Sequence, residues 1–177
     1  AVLIDNVHAG RLLGEHLVEL GHRRVAILAG NQVVASNADR VAGLRTIIES
    51  AGGEVFLRSL PSYTRDGGHA AMQALLRESL EMTAVVGTAD HIAIGAMTAL
   101  REHGLRIPED ISVVGCNDID MAADINPGLT TVHIPLLDLG HLAVELGLRE
   151  DDVDSRQLVD LPVELVVRNS SGPAPLA

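Results

Sequence analysis

Positive charge is scarce in this chain. Thirteen basic residues face twenty-four acidic ones, leaving a formal charge of −11. Such a balance repels phosphate backbones and anionic membrane surfaces, and no basic stripe is present to offset it. The chain by itself is therefore expected not to bind nucleic acid. Cysteine is nearly missing as well: Cys116 is alone, so no internal disulfide can form, which suits a reducing cytoplasm. The opening "AVLIDNVHAGRLLGEH" has no basic leader and no apolar run long enough to export or span, so neither a signal peptide nor a membrane anchor is expected. It also has no initiator methionine and starts strand-like, so we expect it to begin partway through a longer polypeptide.

Motifs of common chemistry are absent too. The eight histidines are scattered, with no His-Glu-x-x-His and no spacing that pairs two imidazoles on a helix face, so no metal site is expected. No Walker A loop occurs and no Gly-x-Gly-x-x-Gly follows a strand; "GNQVVASNADR" is too long and too poor in glycine to cradle a diphosphate. No cofactor is expected. Cys116 stands at a strand end, where a nucleophile could sit, but no base is fixed beside it. It reads as a small semi-buried filler, and the chain as no enzyme.

What is present is one alternation, repeated. At 177 residues and 47% hydrophobic, the chain can bury one good core and reads as one soluble domain. "RRVAILAG", "EVFLRSL", "TAVVGT" and "DISVVG" are short apolar runs of the kind buried on both faces of a sheet. Val25, Val55, Ala84 and Ile111 mark steps of 30, 29 and 27 residues, the length of a strand, a crossover helix and the next strand. The pattern predicts an α/β fold: a parallel sheet flanked by helices on both faces, three layers in all.

The helices have start and stop signals. "GRLLGEHLVELG" turns Leu13, Leu17 and Leu20 inward and stops at Gly21. "ADRVAGLRTIIESAGG" does so with Val41, Leu44, Ile47 and Ile48 and ends at the Gly52-Gly53 pair. "TRDGGHAAMQALLRESL" is capped by Thr64 or Asp66, and "ADHIAIGAMTALREHG" by Asp90, with Gly104 as its stop. "INPGLTTVHIP" reads as irregular, "LLDLGHLAVELGL" as a further helix, "REDDVDSR" as a solvated turn, "LVDLPVELVVR" as a final strand and "NSSGPAPLA" as a flexible tail.

Open α/β sheets bind ligands at the carboxyl ends of their strands. There the pattern places Ser36 and Arg40 after the first strand and Tyr63 after the second. Ala89 and Asp90 follow the third, and Asn117 and Asp118 the fourth. Together they ring one crevice.

The blocks "DNVHAG", "EHLVELGHRRVAILAG", "SNADRVAGL", "TAVVGTADHIAIGAMTALREHGLRIPEDISVVGCNDID", "NPGLTTVHIP" and "PVELVVRNSS" resemble signature segments of the lactose/galactose-repressor family of bacterial transcription regulators, in order and spacing from Asp5 to Ser171. The resemblance implies the carboxyl-terminal part of a two-lobed, periplasmic-binding-protein-like core that clasps a small effector. By that comparison residues 5–131 with 158–168 form the carboxyl-terminal lobe, 1–4 and 132–157 are a remnant of the amino-terminal lobe, and the DNA-binding helix-turn-helix is not in this chain.

Carried over by position, Arg40 matches an effector-contacting arginine, and its fork of donors suits hydroxyls or a carboxylate. A surface salt-bridging role is its ordinary alternative. Ser36 and Tyr63 match pocket-lining positions and Asp5 one near the lobe crossover, beside plain roles as loop cap, core plug and turn former. Two positions depart from the family's usual pattern: Ala89 replaces an asparagine, and Asn117 an aspartate. Asn117 donates as well as accepts, so the hydroxyl pattern read here differs from the common sugar pattern. Cys116 stands where an aromatic is usual, leaving Tyr63 as the stacking platform.

The resemblance further implies a cytoplasmic regulator, a sugar or polyol effector, operator binding through the upstream domain, and a homodimer with Ile92 and Met97 partly outward. A periplasmic-type sugar-binding protein is the alternative, and a small α/β enzyme a third reading.

Overall fold

The computed structural model describes residues 1–78, 80–148 and 159–175. A six-stranded sheet organises it, built from β2 (Arg24–Ala29), β3 (Glu54–Ser59), β4 (Ala84–Gly87), β5 (Ser112–Asn117), β6 (Thr130–His133) and β8 (Glu164–Val166). The strand order is β3-β2-β4-β5-β6-β8, parallel throughout except for the antiparallel edge pair β6 and β8. A separate two-stranded parallel sheet joins β1 (Val2–Ile4) to β7 (Val159–Leu161).

Alternation along β2 explains the three layers. Val25, Ile27 and Ala29 pack with Leu13 and Leu17 of α1 (Asn6–Glu19) and with Val41, Leu44 and Ile48 of α2 (Ala35–Ser50). Ala26 and Leu28 face the other way, onto Met72 and Leu75 of α3 (Arg65–Arg77) and Ile92, Met97 and Leu100 of α4 (Asp90–Glu102). Successive side chains of a strand point to opposite faces, so a strand covered on both sides must be apolar at every position. Truncating one of these fully buried side chains, such as Leu100, costs about 2–5 kcal/mol.

Helix ends fall where the glycines predict. Gly21 and Gly52 adopt φ +90° and +76°, a conformation that costs glycine little. Thr64 caps α3 by accepting from the Gly67 amide. Asp90 does not cap α4: Ala89 occupies the cap position, and the Asp90 carboxylate turns inward to other elements.

Several expectations are corrected. "INPGLTTVHIP" contains a strand, β6, because its threonine hydroxyls find partners inside: Thr131 donates to Asp90, and Thr130 Oγ1 accepts from the Arg168 amide. "LVDLPVELVVR" is two strands that part at Pro162, which has no N–H to offer a ladder; β7 joins β1 while β8 joins the main sheet. β6 pairs with β5 in the main sheet through His133, and β7 pairs with β1 in the residue 1–4 segment. Of the expected 132–157 remnant, the helix Leu136–Leu148 packs beside β1, and the acidic turn at 149–156 lies outside the described residues.

The expected tail is docked as far as it is described. Ser170 is fully buried and donates to the Val113 carbonyl, Gly172 bonds to Ser112, and the Ala174 amide reaches the Leu20 carbonyl. Residues 176–177 lie outside the described residues. Ile92 and Met97 are fully buried, not outward, because α4 is sandwiched between the sheet and α3.

Candidate functional site

One helix crossing, α1 against α2, builds the site. A Cβ on Gly10 of α1 would lie 2.1 Å from the Arg40 carbonyl oxygen, and one on Gly43 of α2 would lie 2.1 Å from the Val7 carbonyl oxygen. The two helices thus touch backbone to backbone, which only glycine permits here. That contact brings the start of α2 against the start of α1, and places Arg40 beside Asn6.

Arg40 is held on three sides. Its Nε donates to Asn6 Oδ1 at 2.9 Å, and its Nη1 donates to the Thr88 carbonyl at 2.7 Å and to Asn117 Oδ1 at 3.2 Å. Asn6 is oriented in turn by donating to the Ile4 carbonyl, and Thr88 Oγ1 accepts from the Gly30 amide. The carboxyl ends of β4 and β5 and the start of α1 therefore meet at one guanidinium, and the end of β2 adjoins through the Gly30–Thr88 bond.

Asn117 ends β5 with φ +123°, and Asp118 follows at φ +57°. Positive φ is uncommon outside glycine, with Asn and Asp the most tolerant side chains, so this residue pair suits the sharp exit from the strand. Asp118 stiffens the turn by accepting from Arg168 Nη2 at 2.7 Å and pairing with His133 Nδ1 at 3.1 Å. A cleft of about 310 Å³ opens beside this turn, lined by Asn117, Asp118, His133, Pro135 and Leu137 among others.

A second cluster borders the first. Asn37 is buried and donates to the Tyr63 hydroxyl, while the Tyr63 ring covers Gly30 so closely that a Cβ there would come within 2.4 Å of it. Asn37 and Arg40 are three apart on α2 and share a face. Ser36 sits half-buried in the first turn of the same helix. Ala89, 5% exposed, adds a methyl group and no polar side-chain atom. Asp5 caps α1 by accepting from the His8 amide at 2.8 Å, which is its turn-forming role.

The structure thus joins Arg40 and Asn117 directly and ties Tyr63 to α2 through Asn37. Asn6, Thr88 and Asn37 were not singled out from the sequence. Asn37 had a signal, its helical spacing from Arg40; the other two are placed only by folding.

Electrostatics separate the acids. Asp90 is fully buried, and burial raises its pKa, opposed by hydrogen bonds from Thr131 and the Ile119 amide. Burial likewise pushes the Cys116 thiol up to about 12, which disfavours the thiolate. Among the described residues no group of three or more His, Cys, Asp or Glu side chains is placed to hold a metal ion.

The sequence from residue 15 to 171 matches the model of the periplasmic binding protein-like domain. The chain belongs to that family. Relatives of this chain include the HTH-type transcriptional regulator CelR of Thermobifida fusca, 35% identical over 171 residues, covering 94% of this chain and 50% of that regulator. A LacI family transcriptional regulator from Enterococcus faecium, solved with bound ribose, superposes with a TM-score of 0.89 at 30% identity, over 98% of this chain and 65% of that one. The lac repressor dimer bound to operator and the anti-inducer ONPF superposes with a TM-score of 0.89 at 31% identity, over 97% and 60%. The lactose-repressor resemblance is thereby confirmed, and the chain spans about half the length of the curated relatives it matches.

Proposed function

We propose that this chain is the ligand-sensing core of a bacterial transcriptional regulator, binding a small polyhydroxylated effector at the carboxyl edge of the sheet. The observation that carries this reading is the convergence of Asn6, Thr88 and Asn117 on Arg40, in a family whose regulators include a ribose-bound structure. Preorganised polar groups at strand ends select a polar ligand, because any ligand that fails to match them leaves them unpaired.

Within this proposal Arg40 and Asn117 contact effector directly, and Tyr63 and Ser36 line the adjoining wall. Ala89 shapes the floor, and Asp5 acts indirectly by capping the helix that presents Asn6. Operator binding belongs to a segment outside these 177 residues, whose charge of −11 repels phosphate. The regulator works in the cytoplasm as a homodimer, and catalysis is no part of its action. The periplasmic-type sugar-binding alternative has the same crevice but no regulators among its support.

Ligand-observed NMR with sugars and polyols tests the reading. Hits should lose affinity in both Arg40→Ala and Asn117→Ala, each by about 1–3 kcal/mol, the cost of leaving a buried polar group of the complex unpaired. Hits that bind equally well to both variants would place the site elsewhere.

A further inference from the structure

Building on that reading, we infer that the effector carries an anionic oxygen group, a carboxylate or a phosphate, seated against Arg40 and Asn117. The argument begins with donor accounting. A guanidinium has five N–H donors and no acceptor. Nε uses one on Asn6, and Nη1 uses two on Thr88 and Asn117. The two on Nη2 take no partner among the described residues.

Arg40 also sets the amide of Asn117. Because a guanidinium can only donate, the oxygen must face it, as Oδ1 does at 3.2 Å. Nδ2 is therefore directed away from the guanidinium with both of its hydrogens unspent. The crevice presents unspent donors from two neighbouring side chains.

The charge of Arg40 is likewise unanswered. All three of its acceptors are neutral: two amide oxygens and a backbone carbonyl. The nearby acids are committed elsewhere. Asp118 is shared by Arg168 and His133, Asp90 is buried against Thr131 and the Ile119 amide, and Asp5 caps α1. Neutral sugar hydroxyls can accept from these donors but leave the charge uncompensated. A carboxylate or phosphate answers both the charge and the donors, since its oxygens can accept from the guanidinium fork and the amide together while its charge pairs with the guanidinium. The chain's overall negative charge does not oppose this, since at physiological salt distant surface charges are screened beyond about 8 Å.

The test compares matched ligands on the whole chain by ligand-observed NMR: pentoses and hexoses, each with its uronic acid and its phosphate ester. At least one acid or ester should bind about tenfold more tightly than its neutral parent, and the carboxylate and phosphate arms identify which group is preferred. Asn117→Asp places a carboxylate against Arg40 and removes the amide donors, so it should abolish that preference. Arg40→Gln should also abolish it. Neutral sugars that bind as tightly as their acids, and depend on Arg40, would overturn this inference and leave the proposed function standing. Absence of binding by every neutral and anionic member would overturn both.

Discussion

The Arg40 guanidinium and the Asn117 amide stand 77 positions apart in the chain and 3.2 Å apart in space. One hydrogen bond therefore ties the second turn of α2 to the end of β5. It also decides which atom of Asn117 is left for a ligand. Its geometry depends on the α1–α2 crossing below it and on the Asp118 turn beside it.

Gly43→Ala tests the crossing. The new methyl would meet the Val7 backbone at 2.1 Å, and a backbone atom cannot swing aside as a side-chain tip can. We expect a loss of about 1–3 kcal/mol and a melting temperature lower by roughly 2–4 °C per kcal/mol. Thr46→Ala, on the exposed side of the same helix, should change stability by no more than about 0.5 kcal/mol. Differential scanning calorimetry of the two variants checks this; equal melting temperatures would show that the helices separate without cost.

Asp118→Ala tests the turn. It strips the partly buried Arg168 of its carboxylate, leaving that guanidinium only the Leu129 carbonyl among the described residues, and it deletes the His133 contact. The expected loss is about 2 kcal/mol, the range for hydrogen bonds to charged groups. Asp118→Asn should lose less, because asparagine keeps both an acceptor and tolerance of φ +57°. Urea denaturation orders the three proteins; Ala and Asn variants of equal stability would contradict this role.

His22 governs a pH response at the other end of the sheet. Fully buried, it accepts at Nδ1 from Thr83 Oγ1 and donates from Nε2 to the Gly172 carbonyl, clamping the carboxyl-terminal segment. Burial lowers its pKa below 6.5, partly offset by the Gly172 bond. The unfolded chain therefore takes up the proton first, and stability falls as pH drops below 6.5 towards the depressed folded value. His22→Gln should flatten that part of the stability curve, read from urea midpoints between neutral and mildly acidic pH. His16, lowered mainly by burial too, leaves a residual slope. An unchanged slope in the variant would mean that His22 does not titrate with unfolding.

Much of the fold was legible because local periodicity reports burial directly. The apolar runs at 25–29, 84–87 and 112–116 are covered on both faces, and helices α1, α2 and α4 stop next to Gly21, Gly52 and Gly104. Strand β6 was not legible, since two threonines read as polar until their hydroxyls are seen bonded to Asp90 and to the Arg168 amide. Asp90 misled in a related way. A carboxylate at a helix start signals a cap, yet here it is consumed by the Ile119 amide and Thr131, 29 and 41 residues away.

The amino-acid pattern alone determined the three layers, the run of parallel strands and the set of side chains delivered to one sheet edge, because each follows from spacing along a few turns or a single strand. Tertiary structure alone decided what those side chains became. Asp5 became a cap, Asn6 and Thr88 became partners of Arg40, and Asn117 turned its oxygen to Arg40. Hydrogen-bond partners separated by 34, 48 and 77 residues leave no periodic trace in a chain; they are set by two helices brought into backbone contact at Gly10 and Gly43 and by the register of four strand ends.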